Sequence, residues 1–313
     1  MSIKVIVTDP RQIDMVDIMR ERAPWAEFVT AEKEELPRLI SDADVLLGRA
    51  SRDALKNGHE LRWMHVNSAG VDGMPTDILG EMGILLTNGR GLHRDTIGDH
   101  VMAFVLAHSR DLIHFEDLRR ARKWERSGDV REVAKLTMGI VGLGEIGRGV
   151  ARRAKACRMR VVGTNRSGTP VEDVDETYPQ KDLQQVLRVS DYLVVACPLT
   201  EETQGMIGTD ELAYLPEGAF LINIARGEIV DEGALVAALR TGHLSGAGLD
   251  VFETEPLPEE SPLWDIPGVL LTPHVAGRQS RAAEAGMERF LANLELYREG
   301  KPLKWQVDYE RGY

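Results

Sequence analysis

Met138-Gly139-Ile140-Val141-Gly142-Leu143-Gly144-Glu145-Ile146-Gly147, followed by the stretch Arg148 to Ala156, decides the fold. A short apolar run suited to a buried strand leads directly into a Gly-x-Gly-x-x-Gly turn, and the residues after it suit a helix. In such a unit the first glycine permits a tight turn, the second lets a pyrophosphate approach the backbone, and the third lets helix and strand pack closely. The helix then offers unpaired amide donors and the positive end of its dipole to phosphate charge. The glycines alone are a weak signal. With a strand before them and a helix after, they make Gly142, Gly144, Glu145, Ile146 and Gly147 candidate dinucleotide-binding residues.

Outward from this turn, runs rich in Val, Ile and Leu alternate with helix-period segments, the mark of βα units around parallel sheets. One set comprises Ile3 to Thr8, Asp44 to Leu47, Trp63 to Asn67 and Ile84 to Thr87. The other comprises Met138 to Val141, Arg160 to Gly163, Tyr192 to Ala196, Phe220 to Ile224, Gly246 to Asp250 and Val269 to Leu271. Between the sets, Val101, Phe104, Val105, Leu112 and Phe115 recur at helical spacing and predict one long helix from Asp95 to about Trp124. The expected class is α/β: two Rossmann-like or flavodoxin-like domains with parallel sheets and a cleft between them.

Composition bounds the partners. A length of 313 residues suits two domains of roughly 150 each. With 50 acidic against 38 basic side chains, the net charge of -12 disfavours nucleic acid and anionic membrane surfaces. The basic run from Arg119 to Arg131 is interrupted by Glu125 and Asp129 and reads as a solvated face. The two cysteines, Cys157 and Cys197, exclude a disulfide framework and a paired metal motif. No apolar window reaches the length of a membrane span and no signal segment opens the chain, so a soluble, cytoplasmic protein is expected.

The strand after the glycine turn ends at Gly163-Thr164-Asn165-Arg166-Ser167. No Asp or Glu stands there to grip the ribose hydroxyls of NAD. Asn165, Arg166 and Ser167 instead supply amide, guanidinium and hydroxyl groups suited to a 2′-phosphate, which favours NADP(H). NAD(H) is the alternative, should Arg166 only stack on adenine.

Three later segments put ionisable groups just past strand ends, where ligands of doubly wound sheets bind. They are Asn223-Ile224-Ala225-Arg226-Gly227, Gly248-Leu249-Asp250-Val251-Phe252-Glu253-Thr254-Glu255-Pro256 and Thr272-Pro273-His274. With Cys197-Pro198-Leu199-Thr200, they resemble, in order and spacing, the blocks of the D-isomer-specific 2-hydroxyacid dehydrogenase family from Leu136 through Gly277. The resemblance implies hydride transfer between a nicotinamide cofactor and a small 2-keto acid such as glyoxylate, hydroxypyruvate or pyruvate, giving the D-2-hydroxy acid. A hydride reaching a ketone carbon builds negative charge on its oxygen, so a proton donor and a fixed cation must stand beside it. His274 is the implied acid, Glu255 its hydrogen-bond partner, and Arg226 the cation that polarises the carbonyl and binds the substrate carboxylate.

The resemblance also implies cofactor contacts at Cys197, Pro198, Thr203, Ile224, Ala225, Asp250 and Gly277, with Asp250 a supporting residue rather than a second base. It implies a discontinuous substrate domain of residues 1–94 and 276–313, a cofactor domain of 95–275, and a homodimer paired through the cofactor domain. On the substrate side, Asn67-Ser68-Ala69-Gly70-Val71-Asp72 is similar to the family's carboxylate-binding loop, with the amides of Ala69, Gly70 and Val71 as donors. Arg49 is the candidate cation for the far end of the substrate. Some positions depart from the family pattern: Asp95-Thr96 and Asp99-His100 at the start of the long helix, Glu145 where a basic residue is common, and Arg158 in place of a glycine, read as a matter of packing. His100 reads as packing or a cap. Two alternatives stay open: a dinucleotide-sensing interaction protein on the same fold, and a dehydrogenase for a phosphorylated hydroxy acid such as 3-phosphoglycerate, for which Arg49 and Arg52 would supply cations.

Overall fold

Two all-parallel sheets carry the chain in the computed structural model, which describes residues 2–71 and 73–309. They belong to separate units, one formed by the chain up to His93 and from Gln279 onward, the other spanning Arg94–Arg278.

In the first unit, Ile3–Val7 (β1), Ala26–Thr30 (β2), Val45–Leu47 (β3), Trp63–His65 (β4) and Leu85–Thr87 (β5) pair in the order β2-β1-β3-β4-β5. Val5, Val7, Val45, Leu47 and Trp63 pack into one face, while Ile6, Leu46, Met64 and Leu86 pack into the other. Because both faces are covered, the strands read as continuous apolar runs rather than alternating ones. The helix Ala282–Arg298 covers the first face, and its Phe290 stacks on Trp63 with ring centroids 5.2 Å apart. Burying each such side chain contributes about 1.5–3 kcal/mol, which ties the end of the chain to its beginning.

In the second unit, Thr137–Val141 (β6), Arg160–Asn165 (β7), Glu176–Pro179 (β8), Tyr192–Val195 (β9), Ala219–Asn223 (β10), Leu244–Leu249 (β11) and Val269–Leu271 (β12) form a seven-stranded sheet. Its order is β12-β11-β10-β9-β6-β7-β8. The chain starts centrally at β6, winds outward through β7 and β8, and returns to the other side of β6 with β9. That reversal leaves a switch point at the carboxyl end of β6, where doubly wound sheets bind ligands. The glycine turn lies there.

Two strands escaped the pattern of apolar runs. β2 buries only Ala26 and Phe28, and β8 buries no residue fully. Both are edge strands with too little apolar surface to stand out.

The single helix expected from Asp95 to Trp124 is two helices, Arg94–Ser109 and Leu112–Arg120. Asp111 breaks it with a left-handed φ of 52°. The returning chain locks the break: Asp129 donates its amide to the Asp111 carboxylate at 3.1 Å, and Arg131 donates its amide to the Ser109 carbonyl at 2.7 Å. Arg119 and Arg120 both pair with Glu116 on an exposed face. Arg158 needs a correction as well. Its φ of 62° lies in the left-handed region, so a glycine there relieves backbone strain rather than packing. Among the described residues, no helix is long and apolar enough to cross a membrane.

Candidate active site

Arg226, Glu255 and His274 all lie beyond the carboxyl ends of neighbouring strands β10, β11 and β12. His274 Nδ1 stands 2.8 Å from Glu255 Oε2, and the other oxygen of Glu255 accepts the Phe252 amide at 3.2 Å. The carboxylate thus spans its own turn and the imidazole. The Arg226 turn is pressed against this loop through Gly227. A Cβ at Gly227 would stand 1.9 Å from the Phe252 carbonyl carbon and 2.2 Å from the Glu253 nitrogen, so only glycine lets the two backbones meet. Asn223, buried at the end of β10, fixes the arginine by donating to the Arg226 carbonyl at 2.9 Å and accepting the Ala225 amide at 3.1 Å. The Arg226 guanidinium turns back to the Ala225 carbonyl at 2.6 Å. Ile224 and Ala225 are buried.

His274 adopts a left-handed φ of 51°, a strained setting for a residue other than glycine. Asp250 holds it there. The His274 amide donates to the Asp250 carbonyl at 2.9 Å, and the buried Asp250 carboxylate accepts the amides of Val275 and Ala276, each at 2.8 Å. The Thr272 hydroxyl donates to the same carboxylate at 2.5 Å, and His100 Nε2 lies 3.0 Å from that hydroxyl. Thr272 and His100 therefore join the site although the sequence reading gave His100 only a packing or capping role. Its ring does pack, edge-on against Phe104.

The glycine turn has the geometry that its motif requires. Gly142 takes a φ of 102°, and a Cβ there would stand 2.7 Å from the Cys197 backbone. A Cβ at Gly147 would stand 2.2 Å from the Gly142 carbonyl oxygen. At Gly144 it would meet nothing within 4 Å, so the second glycine answers no packing need and leaves open space beside the backbone, as a pyrophosphate requires. Gly144 gives the helix Glu145–Ala156 no side-chain cap, so its first amides remain available as donors. These residues fit a dinucleotide. Glu145 is exposed and opens the helix, with Ile146 behind it.

Around this turn, Cys197 is buried and burial pushes its thiol up to about 12, which removes it from nucleophilic chemistry. Pro198 is exposed beside it, and the Thr203 hydroxyl donates to the Pro198 carbonyl at 2.7 Å, closing the turn rather than standing open. Beyond β7, Asn165 accepts the amides of Ser167 and Gly168 at 3.1 and 2.7 Å and donates to the Thr169 carbonyl at 2.7 Å. Its amide folds the loop, Ser167 Oγ lies 2.6 Å from Thr169 Oγ1, and both Arg166 and Ser167 are exposed. Gly277 follows the His274 segment and is half-buried. No group of His, Cys, Asp or Glu suited to a metal ion occurs among the described residues.

In the first unit, Arg49 donates to the Ser68 hydroxyl at 3.3 Å, and Ser68 donates to the Gly70 carbonyl at 2.9 Å. Asn88 donates to the Ala69 carbonyl at 2.7 Å. Arg49 and the Ala69-Gly70 turn are thus one assembly, and the neighbouring Val71 is buried in the core of the unit. Asp72 lies outside the described residues. Arg52 is held by Asp77 through two bonds of 2.8 Å.

Known proteins resemble this chain along nearly its whole length. Residues 102–276 match the family described as D-isomer specific 2-hydroxyacid dehydrogenase, NAD binding domain. The chain is 33% identical over 301 residues to a glyoxylate reductase of Pyrococcus furiosus, covering 92% of this chain and 89% of that one. Among solved structures, it is similar to a D-isomer specific 2-hydroxyacid dehydrogenase from Xanthobacter autotrophicus in complex with NADPH and MES, with a TM-score of 0.87, 30% identity and both chains fully covered. It is also similar to an NADPH-dependent glyoxylate/hydroxypyruvate reductase from Sinorhizobium meliloti in complex with NADP and sulfate, with a TM-score of 0.86, 30% identity and both chains fully covered.

Proposed function

Because the chain belongs to the D-isomer-specific 2-hydroxyacid dehydrogenase family, we propose that it reduces glyoxylate or hydroxypyruvate to the corresponding 2-hydroxy acid, with NADPH as hydride donor. The observation that carries the reading is the 2.8 Å contact between His274 and Glu255 beside the Arg226 turn. When bound, the nicotinamide supplies the hydride. With Nδ1 engaged by Glu255, His274 Nε2 is the atom that gives a proton to the forming alkoxide, and Glu255 stabilises the ring while it is charged. Arg226 opposes the developing negative charge and binds the substrate carboxylate. The amides of Ala69, Gly70 and Val71 and the Arg49 side chain are assigned to carboxylate binding in the first unit.

The exposed Arg166 and Ser167, in a loop with no acidic residue at the ribose position, support NADPH over NADH. A phosphorylated substrate would need several convergent cations, and the engagement of Arg52 by Asp77 removes one of them. The assembly is a cytoplasmic homodimer paired through the unit Arg94–Arg278, whose Leu112, Ile113 and Trp124 are exposed, Trp124 by 94%. Sedimentation that gives only a monomer would refute the pairing.

Steady-state reduction of glyoxylate, hydroxypyruvate, pyruvate and a phosphorylated 2-keto acid, each with NADPH and NADH, tests the assignment. Turnover of the small unphosphorylated acids with NADPH is expected. No turnover of any 2-keto acid with either coenzyme would overturn it.

A further inference from the structure

We propose that His100 is a positioning residue for the proton donor, acting through Thr272 and Asp250; the inference rests on the reading of His274 as that donor. The Asp250 carboxylate is the anchor of the His274 segment. It is 2% exposed and receives three donors, Thr272 Oγ1, Val275 N and Ala276 N. Those donors bracket His274, whose left-handed backbone persists only if its neighbours over-determine it.

The proton arrangement of the chain follows from counting donors. A threonine hydroxyl has one proton, and at 2.5 Å from a carboxylate that already accepts two backbone amides it spends that proton on Asp250 Oδ1. His100 Nε2, 3.0 Å away on the other side, must then carry a hydrogen and donate to the hydroxyl oxygen. The direct distance from His100 Nε2 to Asp250 Oδ1 is 3.8 Å, too long for a hydrogen bond, so the threonine is a required link. The order is His100 N–H to Thr272 O–H to Asp250, each bond polarising the next.

The far end of this chain is rigid. His100 sits in the helix Arg94–Ser109, and its ring lies edge-on to Phe104 at 4.7 Å between centroids. Phe104 in turn packs on Gly248 in β11, where an added Cβ would stand 2.7 Å from the ring. Helix, strand and proton-donor segment are thus tied at two points, one apolar and one polar. Removing the polar tie frees the Asp250 carboxylate to rotate and loosens the segment that carries His274.

Four variants test this: His100→Leu and Thr272→Val break the chain, while His100→Gln and Thr272→Ser retain a donor or a hydroxyl. Two quantities are read, kcat with its KM for the 2-keto acid, and deuterium uptake at the amides of Val275 and Ala276. The breaking variants are expected to lose about tenfold or more in kcat with KM for the keto acid little changed, since misplacement of a reacting group acts on the transition state. They should also exchange those amides faster. The conservative variants should recover most of both, and the variant combining His100→Leu with Thr272→Val should be no worse than the poorer single one. Equal kcat and uptake in His100→Leu and wild type would overturn the proposal, as would a loss that neither conservative variant recovers. A wild-type protein that turns over no 2-keto acid would instead sink the functional reading, and the uptake at Val275 and Ala276 would still decide the positioning one.

Discussion

Nδ1 of His274 and Oε2 of Glu255 lie 2.8 Å apart, and the second oxygen of Glu255 is held by the Phe252 amide. The carboxylate therefore cannot swing away without giving up a backbone bond, and it fixes which ring nitrogen is left for chemistry. His274→Ala should cost on the order of 10²–10⁴ in kcat, the usual worth of a positioned general acid, with coenzyme affinity nearly kept. Glu255→Gln keeps a hydrogen-bonding oxygen but removes the charge, so it should fall between wild type and His274→Ala. Arg226→Ala should raise KM for the keto acid and lower kcat together, because the cation is assigned to both bound substrate and transition state. Steady-state kinetics with NADPH check all three, and wild-type rates for His274→Ala and Arg226→Ala would remove the site assignment.

Gly227 makes the second prediction. Its missing side chain lets the Arg226 turn rest on the Phe252-Glu253 backbone, where a methyl carbon would stand 1.9 Å from a carbonyl carbon. Backbone cannot yield as a flexible side chain would. Gly227→Ala should destabilise the protein by about 3 kcal/mol, the upper end of ordinary overpacking costs. It should also raise KM for the keto acid by shifting the guanidinium. Urea unfolding followed by kinetics on the remaining native protein separates the two effects, and unchanged values of both would show that the two loops are not coupled.

Much of this site was legible in the sequence because its parts are local. The glycine turn announces itself by a strand, three spaced glycines and a helix within one stretch, and Arg226, Asp250 and His274 each follow a recognisable strand. What was hidden depends on contacts between distant residues. The break at Asp111 is set by residues 129–131 folding back on it, which no helical periodicity encodes. The link from His100 to Thr272 joins the first helix of the unit to the end of its last strand, so His100 reads from its own neighbours as packing. Likewise, the family's glycine at the position of Arg158 concerns a left-handed φ that only coordinates reveal.

The loop after β7 predicts coenzyme preference. Asn165 spends its amide on the loop itself, bonding to Ser167, Gly168 and Thr169, and Ser167 Oγ is shared with Thr169 Oγ1 at 2.6 Å, so the proposed discrimination of a 2′-phosphate rests first on Arg166. Arg166→Ala should raise KM for NADPH on the order of tenfold, as expected for loss of one charge-assisted contact, and leave KM for NADH nearly unchanged. Asn165→Ala should weaken both coenzymes, because it unfolds the loop that carries the other two residues. Equal effects of Arg166→Ala on NADPH and NADH would remove the coenzyme argument.

A buried histidine sets the last expectation, the response of stability to acid. His65 is fully buried in β4, and desolvation lowers its pKa from the ordinary 6.5 to about 3. Thr87 Oγ1 accepts from Trp63 Nε1 at 2.8 Å and lies 2.6 Å from His65 Nδ1, and burial keeps the ring neutral. Protonating the ring would place a charge among the apolar side chains that enclose the sheet. Between pH 6.5 and about 3, the unfolded chain takes up a proton that the native protein refuses, so stability rises with pH across this window and falls as acid is added. One such group contributes a slope of up to about 1.4 kcal/mol per pH unit. His108, lowered to about 4 by burial, and His100, also lowered by burial, act in the same direction, so the wild-type slope exceeds that of a single histidine. Comparison with His65→Gln isolates the one group: between about pH 6 and about pH 5 the wild type should lose about 1 kcal/mol more than the variant. Urea unfolding at the two pH values measures this whatever the variant's absolute stability, and parallel losses would mean that His65 is charged in the folded protein or neutral in both states.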